Sequence, residues 1–305
     1  MRSLLEVADF SATEIDCVFA ITEDLKSKWA AGLREPLLPG RVMAMLFEKP
    51  SLRTRVSFEA AMIHLGGGSL FLGNDVGFKA RESLGDFARV LGQYADVIVL
   101  RTYKHHTAVE MAEHSECSVI NGLTDQAHPC QALADLYTLK EQFGRLASRT
   151  LVYVGDGNNV ARSLAEGCGR MGMRFVMATP VGYRFDDEFV ASLAARVPDL
   201  DWSVTDDPCA AVGEAAAVYT DVWTSMGQEA EAERRRADFA GYQVNARLMA
   251  AAPRDAVFMH CLPAHRGEEV SDEVIDGPQS IVVQQAANRL HVQKGILAWL
   301  LAAQG

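Results

Sequence analysis

Short, fully apolar runs alternate with helical stretches along most of the 305 residues, and this alternation constrains the fold more than any other feature. Strands that are apolar throughout are typical of parallel sheets covered by helices on both faces. The pattern therefore predicts the α/β class, with two doubly wound parallel-sheet domains linked by helices. The predicted strands are 42–48, 70–72, 97–100, 119–120, 151–154, 174–177, 218–219, 257–259 and 281–283.

The length of the chain predicts two domains, because single cores rarely grow beyond about 250–300 residues. A helix predicted over 129–143 ends at Gly144, and a new series of strands begins at Leu151. We therefore assign residues 1–146 to a first domain and residues 147–287 to a second. The final helical segment, 288–305, is expected to return to the first domain.

Composition excludes several classes of partner. The formal net charge of -11 gives no long-range attraction for nucleic acid, and no basic stripe alternates with aromatic residues. No apolar run reaches the length of about 18 residues that a membrane-spanning helix needs, and acidic residues interrupt segment 1–9 where a signal peptide is apolar. We expect no nucleic-acid or membrane partner and a cytoplasmic location. The charged run 231–236 is interpreted as a solvated helix face.

Segment 47–55, Phe-Glu-Lys-Pro-Ser-Leu-Arg-Thr-Arg, joins the first predicted strand to the next helix. Arg53 and Arg55 supply guanidinium donors, Ser51 and Thr54 supply hydroxyls, and the helix N-terminus adds backbone N–H groups. The helix dipole disfavours cations at this end. Two arginines there are therefore better explained if the segment binds an anion. The segment predicts a site for a phosphate-sized dianion, with a solvated turn as the alternative.

Polar side chains follow at least five of the predicted strands where each strand ends. Ligands of open parallel sheets bind outside these carboxyl ends, so the side chains are candidates for one functional site. Taken singly, each also fits a structural role, such as a buried ion pair, a turn or a helix cap. A dinucleotide site is disfavoured because segment 155–159 lacks the third glycine of that motif. The candidates are Arg101, His128, Gln131, Asn158, Asn159, Asp221, His260 and Cys261.

Cys261 is a candidate nucleophile by residue type. Adjacent strand residues point to opposite faces, so His260 is poorly placed to activate it, and a positioning or proton-handling role beside Asp221 is favoured. A buried core cysteine is the alternative. The six cysteines form no CxxC pair, which predicts neither a disulfide framework nor a structural metal, and most are expected to be core residues.

Four segments occur in the order and at roughly the distances seen in ornithine carbamoyltransferases, within the aspartate/ornithine carbamoyltransferase family. The chain resembles that family over nearly its whole length. The segments are Ser-Leu-Arg-Thr-Arg at 51–55, His-Pro-Cys-Gln at 128–131, Asp-Val-Trp-Thr-Ser-Met-Gly at 221–227 and His-Cys-Leu-Pro at 260–263.

The resemblance implies a first domain for carbamoyl phosphate, a second for ornithine, and a homotrimer or a multiple of trimers. It implies no metal and no organic cofactor. Four residues would be catalytic: Arg101, His128, Asp221 and Cys261. Carbamoyl phosphate would be held by Ser51, Leu52, Arg53, Thr54, Arg55, Arg101, His128, Gln131 and Arg289. Ornithine would be held by Asn159, Asp221, Ser225, Met226, Cys261 and Leu262.

One segment departs from the family pattern. Many members carry a glutamine, in the loop after the second strand, that reaches the carbamoyl phosphate of a neighbouring subunit. Segment 73–82 offers no glutamine that aligns with it. Lys79 or Arg81 is a candidate replacement, and plain surface charge is the alternative.

The implied reaction transfers the carbamoyl group of carbamoyl phosphate to the side-chain amine of L-ornithine, giving L-citrulline and phosphate in arginine metabolism. Putrescine, an N-acylated ornithine or aspartate is an alternative acceptor, and segment 225–227 together with Asp221 favours ornithine. A non-catalytic phosphate-binding α/β protein is a further alternative. The joint presence of His128, Gln131 and Cys261 argues against it.

Overall fold

The computed structural model describes residues 2–73, 76, 78, 82–224 and 228–302. The chain forms two compact units, residues 1–137 with 287–305 and residues 138–286. Both units are α/β structures with parallel sheets, which confirms the predicted fold class. Among the described residues, every helix is too short or too polar to cross a membrane.

The first unit contains a four-stranded parallel sheet in the order β2-β1-β3-β4. Its strands are β1 (Val42–Phe47), β2 (Gly68–Leu72), β3 (Val97–Arg101) and β4 (Ser118–Leu123). Its helices are α1 (Ala12–Ala30), α2 (Leu52–His64), α3 (Leu84–Tyr94) and α4 (His105–His114). Helix α5 (Pro129–Phe143) leads out of the unit, and α12 (Val282–Ala302) leads back into it.

The second unit contains a five-stranded parallel sheet in the order β7-β6-β5-β8-β9. Its strands are β5 (Thr150–Val154), β6 (Arg174–Ala178), β7 (Trp202–Thr205), β8 (Ala217–Thr220) and β9 (Val257–His260). Its helices are α6 (Asn159–Arg170), α7 (Asp187–Arg196), α8 (Pro208–Ala211), α9 (Ala232–Asp238), α10 (Ala246–Ala251) and α11 (Asp272–Ile275).

Each sheet has one point where the order of its strands reverses. In the first unit this point lies between β1 and β3, and in the second unit it lies between β5 and β8. Chain connections leave a crevice at such a point, outside the carboxyl ends of the two strands, and ligands of open α/β sheets bind there. The loops after these four strands therefore define where each unit offers a site.

Apolar packing fixes both sheets beneath these crevices. In the first unit the buried cluster includes Leu46, Ala88 and Ile98, so the sheet packs on α3. In the second unit it includes Val152 and Phe258. Both sheets are thereby covered by helices, as fully apolar strands require.

The prediction and the structure differ at two elements. The strand predicted at 281–283 is wrong, because α12 begins at Val282 and only Ser280 forms an isolated bridge, to Phe258. A three-residue apolar run has no periodicity that separates a strand from a helix. Strand β7 was not predicted, because apolar and polar residues alternate along it. All four are half-buried, and the strand lies at the edge of the sheet.

Candidate active site

Thr54 lies at the centre of a buried polar cluster in the first unit. Its Oγ1 accepts hydrogen bonds from Arg289 Nη2 at 2.8 Å, Ser51 Oγ at 3.0 Å and Arg101 Nη1 at 3.4 Å. Its side chain is fully buried. A hydroxyl oxygen has two lone pairs, so the three donors share them, and the hydroxyl proton of Thr54 is the group that it can donate to a ligand.

Ser51 starts helix α2 at the carboxyl end of β1. Its Oγ accepts the backbone N–H of Thr54 at 3.3 Å, which caps the helix. Leu52, Arg53 and Arg55 then point outward, and Arg55 bonds Glu59 through Nε at 3.1 Å. The structure therefore brings Ser51 and Thr54 together with two buried arginines, and leaves the two arginines of the helix start exposed.

His128 precedes helix α5 and is buried. Burial lowers the pKa of His128 well below its usual range, and the positive charges of Arg289 and Arg101 lower it further. The imidazole is therefore neutral near pH 7, when one ring nitrogen carries a proton that it can donate.

Gln131 follows His128 on the first turn of α5 and is also buried. Its Nε2 donates to Asp135 Oδ1 at 2.8 Å. Its Oε1 is buried and accepts no hydrogen bond from the described residues. A buried acceptor without a donor is unfavourable, so the amide is suited to a ligand that brings an N–H group.

Lys49 is a buried cation near Arg101 that the sequence analysis did not select. Only 8% of it is exposed, and its ammonium lies 4.4 Å from the centre of the Tyr103 ring. Burial lowers the pKa of Lys49, and the neighbouring charge of Arg101 lowers it further. The residue stands between β1 and the cap at Ser51, but no pattern in the sequence distinguishes it from a surface lysine.

Asp221 is the centre of a second cluster, at the switch point of the second unit. Its Oδ2 accepts Asn158 Nδ2 at 2.8 Å, and its Oδ1 accepts the Cys261 thiol at 3.0 Å and its neighbour's backbone N–H at 2.8 Å. Asn158 also caps α6 through Oδ1. Asn159, the ornithine candidate from sequence, is the first residue of α6, and the contact with Asp221 comes from Asn158.

His260 does not activate Cys261. Its Nδ1 accepts the backbone N–H of Leu262 at 2.9 Å, so the ring proton is on Nε2, which lies 3.3 Å from Glu269 Oε1. Both ring nitrogens are thus engaged with partners other than Cys261. Leu262 has a left-handed backbone with φ of 58°, a conformation that costs a leucine about 1–3 kcal/mol and is concentrated at functional sites.

The same contacts bear on metal binding. Asp221, His260 and Cys261 bring one ligand atom each within 4.8 Å of one another. The lone pair of His260 Nδ1 is used by Leu262, and Nε2 carries the proton. A carboxylate and a thiol then remain, which falls short of the tetrahedral set that zinc takes.

Other candidates from the sequence have different positions or lie outside the described part of the chain. Ser225 and Met226 lie outside the described residues, as do Lys79 and Arg81. The charged run 231–236 is not wholly solvated, because Arg235 is buried. Of the five cysteines other than Cys261, Cys117, Cys130 and Cys168 are buried as expected, and Cys17 and Cys209 are exposed.

These two clusters stand in an α/β chain whose parts match the two domains of one enzyme class. The model of the aspartate/ornithine carbamoyltransferase carbamoyl-P binding domain matches residues 2–141, and that of the Asp/Orn binding domain matches residues 147–300. The chain belongs to the aspartate/ornithine carbamoyltransferase family. It is an enzyme that transfers carbamoyl groups.

Several relatives that match nearly the whole chain are ornithine carbamoyltransferases. An ornithine carbamoyltransferase from Symbiobacterium thermophilum is 51% identical, over 99% of this chain and 98% of the relative. One from Bacillus subtilis is 49% identical, over 98% of this chain and 94% of the relative. The solved structure of ornithine carbamoyltransferase from Pyrococcus furiosus is 47% identical, with a TM-score of 0.95 over 99% of this chain and 97% of that chain.

Proposed function

We propose that this chain transfers the carbamoyl group of carbamoyl phosphate to the side-chain amine of L-ornithine, giving L-citrulline and phosphate. The observation that carries the proposal is the similarity to relatives named ornithine carbamoyltransferase, which are 47% to 51% identical over nearly the whole chain. The two clusters at the switch points supply the groups that this reaction needs.

The phosphate of carbamoyl phosphate binds at the start of α2. Free backbone N–H groups and the helix dipole favour a dianion there, and the Ser51 hydroxyl can turn its proton from Thr54 Oγ1 to the phosphate. Arg53 and Arg55 are exposed, so their guanidinium groups can turn toward an arriving phosphate and form paired charge-assisted hydrogen bonds. Together they neutralise the leaving group, which needs little further acid assistance.

The carbamoyl group binds among the buried residues of the first cluster. Arg101, neutral His128 and the Thr54 hydroxyl donate to the carbamoyl oxygen, and Gln131 Oε1 accepts from the carbamoyl NH₂ group. Attack on the carbon makes a tetrahedral centre whose oxygen gains negative charge. Donors that burial and mutual hydrogen bonds already hold in place stabilise that charge without reorganising, which is the largest catalytic effect in such sites.

Ornithine binds at the second cluster, where Asp221 attracts its ammonium groups and Cys261 lies beside the carboxylate. An alkylammonium has a pKa near about 10.4 and cannot attack until it loses a proton. The nitrogen of the neutral amine forms the new bond to the carbamoyl carbon, the carbon–oxygen bond to phosphate breaks, and the departing phosphate accepts the proton. Asp221 orients the amine. In the first cluster, Arg289 donates to Thr54 Oγ1 and holds that hydroxyl in place.

A trimer, or a multiple of trimers, is the proposed assembly. Leu52, Val56 and Ile63 form one exposed apolar stripe on α2, and Leu70 and Phe71 are exposed on the edge strand β2. Exposed apolar side chains that continue onto a sheet edge are typical of a surface that a neighbouring subunit covers.

A cytoplasmic location is also proposed. All six cysteines carry free thiols, including Cys17 and Cys209 at the surface. Free surface thiols are typical of proteins in a reducing compartment.

Phosphate release from carbamoyl phosphate, measured with one amine at a time, tests the choice of acceptor. L-ornithine, putrescine, N-acetylornithine and L-aspartate are compared by kcat/KM at saturating carbamoyl phosphate. The proposal expects ornithine to exceed the other three by at least two orders of magnitude, because Asp221 and the loop after it select the free amino acid. A higher kcat/KM with any other amine contradicts it.

A further inference from the structure

Arg235 is buried in a run of charges that would otherwise be a solvated helix face. It stands on α9, and only 8% of its side chain is exposed, against 68% for Arg234 and 54% for Arg236 beside it. Burying a guanidinium is unfavourable unless carboxylates and carbonyl oxygens surround it. Its contacts therefore indicate what it holds in place.

The guanidinium of Arg235 joins its own helix to two loops of the second unit. Its Nη1 donates to Asp156 Oδ2 at 2.7 Å and to the backbone carbonyl of Trp223 at 2.9 Å, and its Nε donates to Glu231 at 3.0 Å. The carbon at the centre of the group lies 5.1 Å from the Tyr183 ring. A planar fork with five donors suits this junction, and a lysine cannot reproduce it.

Two of these partners belong to the loops that form the second cluster. Asp156 stands two residues before Asn158, in the loop after β5, and Trp223 stands two residues after Asp221, in the loop after β8. The side chains of Asn158 and Asp221 are joined at 2.8 Å. Arg235 thus ties together the same two loops whose ends meet at the carboxylate.

Electrostatics gives the contact a second role. Burial raises the pKa of Asp156, the bonds from Arg235 oppose that rise, and the charge of Asp221 adds to it. The negative charge of Asp221 thus reaches Asp156, and the positive charge of Arg235 offsets the unfavourable burial of the Asp156 carboxylate.

Aromatic packing fixes the position of Arg235 relative to the loop after β8. The Trp223 and Phe239 rings stack at 5.6 Å with an angle of 16°, and Phe239 lies one helical turn after Arg235. Tyr183 packs on the same Phe239 ring at 4.6 Å. The cluster fixes α9 against the loop after β8, so the guanidinium is presented to the Trp223 carbonyl in one position.

We infer that Arg235 is a positioning residue for the amine acceptor: it fixes the loops after β5 and β8 together and so sets the direction of the Asp221 carboxylate. The inference rests on the proposed function, because ornithine is the acceptor that Asp221 receives. Arg235 acts through its hydrogen bonds to Asp156 and to the Trp223 carbonyl.

The test compares Arg235→Met with Arg236→Met, a neighbouring arginine that is 54% exposed and pairs with Glu268 at 3.0 Å. Steady-state kinetics at saturating carbamoyl phosphate give kcat and KM for ornithine, and calorimetry gives the affinity for carbamoyl phosphate alone. We expect Arg235→Met to lower kcat/KM for ornithine on the order of a hundredfold, largely through KM, since misplacing a site group by about 1 Å has that effect. The affinity for carbamoyl phosphate, and every parameter of Arg236→Met, should stay within about twofold of the wild type.

Arg235→Lys and Asp156→Asn keep the test valid if the methionine variant does not fold. Both should raise KM for ornithine, the lysine variant less than Arg235→Met because one ammonium replaces only part of the fork. An Arg235→Met enzyme with an unchanged KM for ornithine overturns the inference. An equal loss of affinity for carbamoyl phosphate also overturns it, because it would show a general structural role. A wild-type enzyme inactive with ornithine refutes the proposed function instead.

Discussion

Replacing Thr54 by valine removes the acceptor at the centre of the first cluster and keeps the shape of the side chain. The buried oxygen receives Arg289 at 2.8 Å and Arg101 at 3.4 Å. A bond to a charged group contributes about 1.5–3 kcal/mol, and the longer contact contributes less, so the variant should lose about 2–4 kcal/mol of unfolding free energy. A domain with a stability of about 5–15 kcal/mol remains folded after that loss.

Thr54→Val should also lower kcat, because the variant lacks a hydroxyl that we assign to the reaction. The hydroxyl proton is the group that we assign to the carbamoyl oxygen, and removing one such donor lowers kcat by about 10²–10³. Initial rates of citrulline formation at saturating substrates measure this, and urea unfolding measures the stability. Thr54→Ser, which keeps the hydroxyl, is the control and should retain most of the rate. A Thr54→Val enzyme with the kcat of the wild type would refute the assignment of this hydroxyl.

Two other perturbations test separate parts of the site. Arg55→Ala should lower kcat/KM for carbamoyl phosphate on the order of 10² or more, yet change the unfolding free energy by only about 1 kcal/mol, since its native contacts are a half-buried Glu59 and the exposed Phe71 ring. Arg89→Ala, an exposed arginine paired with Asp86, is the matched control and should change neither. The lowered pKa of buried His128 means that the unfolded chain binds a proton here before the native protein does. Stability from this group is therefore fully present above about pH 6.5 and is lost as the pH falls below it. Urea unfolding is measured between about pH 7.5 and about pH 5. The unfolding free energy should decline less steeply with falling pH for His128→Asn than for the wild type, and equal slopes would contradict a neutral His128 in the native protein.

The parts of the fold that were predictable from sequence are those with local signals. The run Val42–Phe47 is apolar throughout, and Ser51 caps the next helix, so both β1 and the start of α2 could be located. Ser11 and Glu14 likewise form the reciprocal caps that begin α1. The short run at 281–283 carried no such signal, and it is the start of a helix rather than a strand.

The site was predictable only as far as strand ends could be located. Arg101, His128, Asp221 and Cys261 follow strands, so the rule that ligands bind at carboxyl ends selected them. Burial is set by tertiary packing, and no local pattern shows it. Lys49 and Arg235 therefore read as surface charges in the sequence and are buried in the fold.

The choice between neighbouring residues was also beyond the sequence. Asn158 and Asn159 have the same side chain, and both follow β5. Their roles depend on which of them ends the loop with an extended backbone, and Asn158 does so as the cap of α6. That conformation turns its amide toward Asp221, whose position comes from a different strand.

The stoichiometry of the reaction tests the central claim most directly. The wild-type enzyme is mixed with carbamoyl phosphate and L-ornithine, and citrulline and phosphate are measured in the same samples over time. A carbamoyl transfer that runs through the two clusters predicts equal amounts of both products, with phosphate release that depends on ornithine. Phosphate released without citrulline, or at the same rate in the absence of ornithine, would contradict the account.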